Sequence, residues 1–225
     1  MIGAYLIGIL FAIAGMIASG VLKSKFRKYS KIPVAGGLTG RDIAERMLRE
    51  NGIHDVQVIS VAGQLTDHYN PQNKTVNLSE GVYNSNSIAA AAVAAHECGH
   101  AVQHATGYAW LQLRSQLVPV VSVASQLVMW IILAGILLIN TFPSLMLIGI
   151  VLFAATTLFS FVTLPVEFDA SRRAIVWLNN SSVAGTMEMG YAKDALRWAA
   201  STYVVAALGS LATLLYYIMI YTSRR

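Results

Sequence analysis

Along most of this chain apolar and polar residues fall into blocks rather than short periods. Four apolar stretches, at about 2–22, 117–139, 144–164 and 201–221, contain no Asp, Glu, Lys or Arg. Each is long enough for a helix to cross a hydrocarbon core, which takes roughly 20 residues. A backbone in lipid must satisfy its own hydrogen bonds, so the four stretches are predicted as transmembrane helices.

Between the first two stretches the pattern changes. Residues 38–52 set Ile43, Met47 and Leu48 in one stripe, behind Thr39 as a cap and ahead of Gly52 as a stop signal, which predicts an amphipathic helix. Residues 56–62 alternate and are rich in β-branched side chains, which predicts a strand. A polar run with turn residues at 66–73 and a second strand at 74–79 complete an expected antiparallel hairpin. From Asn86 or Ser87, either a suitable cap, an alanine-rich segment runs to His104. Alanine favours helix, and the segment is too short before its polar residues to be a fifth crossing, so it is expected to be a buried helix. The fold class is therefore an α+β membrane protein: four transmembrane helices and a small soluble domain of helices and a β-hairpin.

Composition supports the membrane reading, with 56% hydrophobic and only 12% charged residues. The first stretch has no basic residues before it, and Lys23, Lys25, Arg27, Lys28 and Lys31 follow it, so it reads as a retained anchor rather than a cleaved signal. Basic residues after an apolar helix mark the cytoplasmic side. The amino terminus is then expected outside and 23–116 inside, with 140–143 as an outer turn and 165–200 inside again. Of the 16 Lys and Arg, all but Arg224 and Arg225 then face the cytoplasm. The net charge of +5 is thus mainly a topology signal, with attraction to anionic headgroups secondary. No basic face interleaved with aromatics is present, and no nucleic-acid partner is expected. The single cysteine, Cys98, excludes an internal disulfide framework.

The chemistry lies in the alanine-rich helix. His96 and His100 are four residues apart, which puts both imidazoles on one face, about 40° apart around the axis and one turn apart along it. Glu97 points beside a metal held by that pair and reaches its water without occupying a coordination position, the mechanical content of HExxH. Zinc lowers the pKa of bound water towards about 7, and the carboxylate takes the proton as a polarised carbonyl is attacked. Burying two histidines and a glutamate among alanines without a partner is costly. A catalytic zinc takes three protein ligands and leaves one position open. His104 shares the face but lies a further turn along, which makes joint ligation with His96 difficult. Asp67 and His68, in the expected hairpin loop, are candidates for substrate contact or the site edge. Glu167 and Asp169 follow the third crossing, and two crossings return the chain to the face that carries His100.

The residues Leu65-Thr-Asp-His-Tyr69, Leu78-Ser-Glu80, Ala94-Ala-His-Glu-Cys-Gly-His-Ala-Val-Gln103 and Pro165-Val-Glu-Phe-Asp-Ala-Ser-Arg-Arg173 resemble the YugP-type neutral zinc metallopeptidase family, nearly end to end. The order of HExxH, two membrane helices and a downstream glutamate is similar to that of membrane gluzincins. The resemblance implies a zincin-like (minigluzincin) soluble domain fused to a membrane bundle, with Glu167 as third zinc ligand. Related membrane gluzincins usually carry an aspartate four residues after that glutamate to orient a histidine ligand. Ser171 stands there in this chain, and Asp169 is the alternative support. His68, Tyr69, Arg172 and Tyr191 are all candidate oxyanion donors. Cys98 faces away from the ligands and is expected to pack. Residues 74–79 are the candidate edge strand for pairing with an extended substrate.

The expected organisation is an anchor with basic flank at 1–32, a zincin-like domain at 33–116, a transmembrane hairpin at 117–164, a cytoplasmic segment with the third ligand at 165–200, and a last transmembrane helix at 201–225. The expected activity is zinc-dependent hydrolysis of peptide bonds in membrane-associated or misfolded proteins, at the cytoplasmic face of a cell membrane, with protein or peptide substrate and the lipid bilayer as partners. Two other readings are a zinc hydrolase of a non-peptide substrate and a membrane scaffold with a structural or decayed site. Intact Glu97 opposes decay, because a structural zinc needs no general base.

Overall fold

The computed structural model describes residues 2–181, 183 and 185–223, with side chains from residue 6 onward. Arg224 and Arg225, assigned to the outer side by the charge pattern, lie outside the described residues. Among the described residues, seven α-helices and three strands follow in the order α1 (Ile2–Tyr29), α2 (Gly40–Glu50), β1 (Gln57–Val61), β2 (His68–Asn70), β3 (Thr75–Ser79), α3 (Glu80–Tyr83), α4 (Ile88–Ala105), α5 (Ala109–Leu137), α6 (Pro143–Asn180) and α7 (Thr186–Thr222). The chain is thus an α+β membrane protein, and among the described residues four helices are long and apolar enough to cross a bilayer, α1, α5, α6 and α7. It divides into two compact units, one of residues 1–18, 112–165 and 202–225, the other of residues 19–111 and 166–201.

The first unit consists of the apolar lengths of these four helices. Its outward side chains are hydrophobic, Met129, Trp130 and Leu137 among them, an arrangement that water would penalise and hydrocarbon accepts. Small residues let its helices approach. A Cβ on Gly135 of α5 would lie 2.7 Å from the Met146 Cα of α6. Thr157 of α6 and Ser210 of α7 share a hydrogen bond of 2.7 Å between hydroxyls.

The second unit holds the sheet. Thr39 caps α2 as expected, in a reciprocal box with Asp42, and Ile43, Met47 and Leu48 are buried from the same helix. Ser87 caps α4, accepting from the Ala90 N–H at 3.2 Å. The pairing differs from expectation. β1 and β3 run parallel, and the order across the sheet is β1-β3-β2. The hairpin is the one between β2 and β3, with His68 opposite Asn77 and Asn70 opposite Thr75. β2 occupies residues assigned to the turn, and three residues are too few to show an alternating pattern. With a neighbour on both sides, β3 is buried at all five positions. Residues 74–79 therefore cannot supply the free edge proposed for substrate pairing, because their backbone groups are already engaged in both ladders. The edges are β1 and β2.

Two helices of this unit position the candidate ligands. α4 buries nearly its whole alanine-rich length. α6 has 38 residues, close to twice the length a bilayer core needs, and its continuation past Pro165 carries Glu167 and Asp169. The two helices touch at Gly99, where a Cβ would lie 2.6 Å from the backbone oxygen of Ala170. Only a residue without a side chain fits there.

Candidate metal centre

His96 and His100 emerge from one face of α4 one turn apart, and their rings meet edge to face with centroids 4.8 Å apart. The α4–α6 contact at Gly99 brings Glu167 against them. Its Oε2 lies 3.3 Å from His96 Nε2 and its Oε1 lies 3.8 Å from His100 Nε2. Among the described residues these three form a group that could hold a metal ion, with all ligand atoms within 4.8 Å of one another. Two imidazole nitrogens and a carboxylate are a donor set of catalytic zinc. Tetrahedral ligands at about 2.0–2.2 Å from such an ion stand about 3.3–3.6 Å apart, close to the two spacings given above.

The far nitrogen of each ring has a partner that turns Nε2 into the site. His96 Nδ1 meets the Ser171 hydroxyl at 3.1 Å. His100 Nδ1 meets the Gln103 side-chain oxygen at 3.0 Å. The Gln103 amide nitrogen in turn donates to the Val166 backbone oxygen at 2.8 Å and to Asp169 Oδ2 at 3.0 Å. Arg172 and Arg173 close on Asp169 at 2.7 and 2.5 Å. Burial alone would raise the Asp169 carboxyl, but the hydrogen bonds from Arg173, Arg172 and Gln103 hold it below the usual range.

Glu97 lies beside the three, buried, and its Oε2 accepts the Tyr69 backbone N–H of β2 at 3.0 Å. Burial pushes its carboxyl up to about 7, with the negative charges of Glu167 and Asp67 adding to this and His96 and the Tyr69 N–H opposing it. For His96 burial favours the neutral ring, but the Glu167 contact and the charges of Glu97 and Glu167 outweigh it and raise its pKa. Burial pushes the Cys98 thiol well up, and its sulfur lies 3.5 Å from the Ala44 backbone oxygen, a packing role.

Other residues singled out by the sequence sit elsewhere. His104 is not in the group, and its Nδ1 meets the Tyr69 hydroxyl at 2.7 Å. Asp67 ties the start of β2 to the end of β3, accepting the Ser79 N–H at 2.7 Å. His68 is exposed, with Nδ1 2.8 Å from the Thr66 backbone oxygen. Tyr191 stacks on Tyr29. Sequence reasoning missed Gly99 and Gln103. The first was signalled by a lone glycine in an alanine helix, which costs about 1 kcal/mol unless packing requires it. The second lies three residues after His100, where helix neighbours meet.

The family described as "Putative neutral zinc metallopeptidase" matches residues 4–222. The chain belongs to this family. The chain is also 45% identical over 204 residues to "Putative membrane protease YugP" of Bacillus subtilis (strain 168), covering 91% of this chain and 90% of that protein. No solved structure matches the chain.

Proposed function

We propose that this protein is an integral-membrane zinc endopeptidase in which His96, His100 and Glu167 hold the metal and Glu97 is the general base. The observation that carries the reading is the arrival of the buried Glu167 carboxylate at two imidazole nitrogens 71 and 67 residues earlier in the chain. Zinc, when bound, supplies a Lewis acid for the scissile carbonyl and lowers the pKa of water. The residues do the rest. Ser171 and Gln103 orient the two rings, and the Gly99 contact brings Glu167 to them. The Tyr69 N–H holds one Glu97 oxygen and leaves the other to take a proton from the attacking water and pass it to the leaving amine. Burial raises this carboxyl in the metal-free protein, and a bound dication would favour the carboxylate form that accepts the proton.

The edge strand β2 lies at Glu97, and we assign to it the pairing with an extended substrate. The basic residues at 23–31 and 172–197 support a cytoplasmic location for both halves of the site, and we assign membrane-associated or misfolded proteins on that side as the substrates. The test compares purified wild type with Glu97→Gln for zinc content and for hydrolysis of unfolded protein substrates. The variant is expected to keep its zinc and lose about 10²–10⁴-fold in kcat. Zinc without Glu97-dependent peptide hydrolysis would refute the reading.

A further inference from the structure

We propose that a cavity beside the basic end of α1 binds the headgroup of an anionic phospholipid. It holds about 510 Å³, within the roughly 300–1,000 Å³ typical of small-molecule sites. Lys23, Arg27 and Lys31 line it. A spacing of four residues turns successive side chains through only about 40°, so Lys23 and Arg27 stand in one row along α1, and Lys31 continues that row from the turn just past the helix end. Leu22 and Phe26 form the adjacent row and also line it.

The charges of this row are not neutralised by the protein. Among the described residues no carboxylate lines the cavity, and none lies at ion-pair distance from Lys23, Arg27 or Lys31. Lys25, on the same stretch of α1, pairs with Asp194 at 2.8 Å. The cavity thus gathers three cations without a carboxylate on one wall, positive charge available to a ligand.

The opposite wall is the loop after β1 with the first turn of α3. Gly63 and Leu65 both have left-handed backbone, φ 108° and 58°. Glycine adopts this freely, whereas for leucine it is strained. The strained residue presents an apolar side chain that is 51% exposed and lines the cavity. Three cations and three apolar side chains call for an anion that carries a hydrocarbon arm. Leu22 is the last residue of the first apolar stretch and also part of the wall, so the cavity begins where the membrane-crossing sequence ends. Cations at that depth attract anionic headgroups, and the cavity fixes one of them. An acidic polypeptide would satisfy the charges and leave Leu22, Phe26 and Leu65 unmatched.

The full chain is placed in nanodiscs of phosphatidylcholine with a minor fraction of phosphatidylglycerol, and the lipid retained per chain is counted by native mass spectrometry after transfer to mild detergent. Wild type is expected to keep one phosphatidylglycerol. Lys23→Gln/Arg27→Gln/Lys31→Gln weakens its retention on the order of a hundred-fold, at about fivefold per cation near a lipid surface. Lys28→Gln/Arg49→Gln/Lys193→Gln removes as much charge elsewhere and leaves retention unchanged. Gly81→Leu lines the cavity from a position with open space around a Cβ. It keeps every charge, fills the volume and is expected to lose the lipid. All the substituted cavity positions are exposed, and thermal melting checks that each variant folds; either of the two cavity variants decides the matter alone. Equal retention in wild type and a folded cavity variant would overturn the proposal. So would a matching loss in the control triple variant, binding of glycerol 1-phosphate as tight as that of the lipid, or displacement of the lipid by an acidic peptide.

Discussion

The His96 end and the His100 end of the proposed zinc site are one helical turn apart, yet different chemistry supports them. His96 rests on a single hydroxyl, Ser171, from α6. His100 rests on an amide from its own helix, and that amide is held by the backbone of Val166 and by an aspartate with two arginines upon it. A charged and buried chain of hydrogen bonds fixes a ring more firmly than one rotatable hydroxyl does. The comparison teaches that two ligands of one motif can differ in how rigidly they are presented, a difference that resides wholly in the layer behind them.

The largest effect is expected from a change that disturbs both ends at once. In Gly99→Ala the new methyl meets the Ala170 backbone oxygen, which cannot swing aside as a side chain would, so α6 must shift and take Glu167 away from both rings. Overpacking of this kind costs about 1–3 kcal/mol, and the purified variant is expected to melt lower and to retain little zinc.

A pH series on metal-free protein sharpens the contrast from the His96 side, where the charge of Glu97 bears on the ring. Glu97 titrates at about 7 when folded against an ordinary 4.5. A carboxyl that binds its proton more tightly in the folded state contributes stability that is fully present below 4.5 and lost as pH rises through about 7. Its share of the loss is up to about 3 kcal/mol. Denaturant melts are expected to show this decline in wild type and a flatter profile in Glu97→Gln.

Next comes the difference between the two ends itself. Gln103→Leu keeps the volume and removes the oxygen behind His100, and it is expected to lower zinc affinity about 10–100-fold. Ser171→Ala is expected to lower it by less than tenfold, since only a hydroxyl is lost. Ser171→Asp, which puts a carboxylate behind His96, is expected to raise it. Competition with a zinc chelator measures all three, and equal losses for Gln103→Leu and Ser171→Ala would erase the distinction.

Those layers explain what could be read in advance. The four apolar stretches, the capped helix after Thr39 and the α4 helix follow from composition and short spacing, which act locally. The spacing of His96 and His100 places two rings on one face whatever the tertiary fold. Bringing Glu167 to them rested on membrane topology and on a family resemblance, and the geometry puts its carboxylate 3.3 and 3.8 Å from the ring nitrogens. Strand pairing was less legible. β1 and β3 read as a hairpin because they are neighbouring alternating segments, and the three-residue β2 that lies between them in the chain and pairs with the other side of β3 carries almost no pattern of its own. Gln103 and Ser171 are ordinary polar residues in sequence, and only the packing of α4 on α6 gives them their roles.

The central claim is that two imidazoles before the second apolar crossing and one carboxylate after the third hold a single zinc. X-ray absorption at the zinc edge on purified, zinc-loaded protein tests it most directly, with Glu167→Ala beside wild type. One zinc per chain is expected, with two imidazoles and oxygen donors in wild type and a lost or altered shell in the variant. A sulfur donor from Cys98, or a shell unchanged by removing Glu167, would contradict the account.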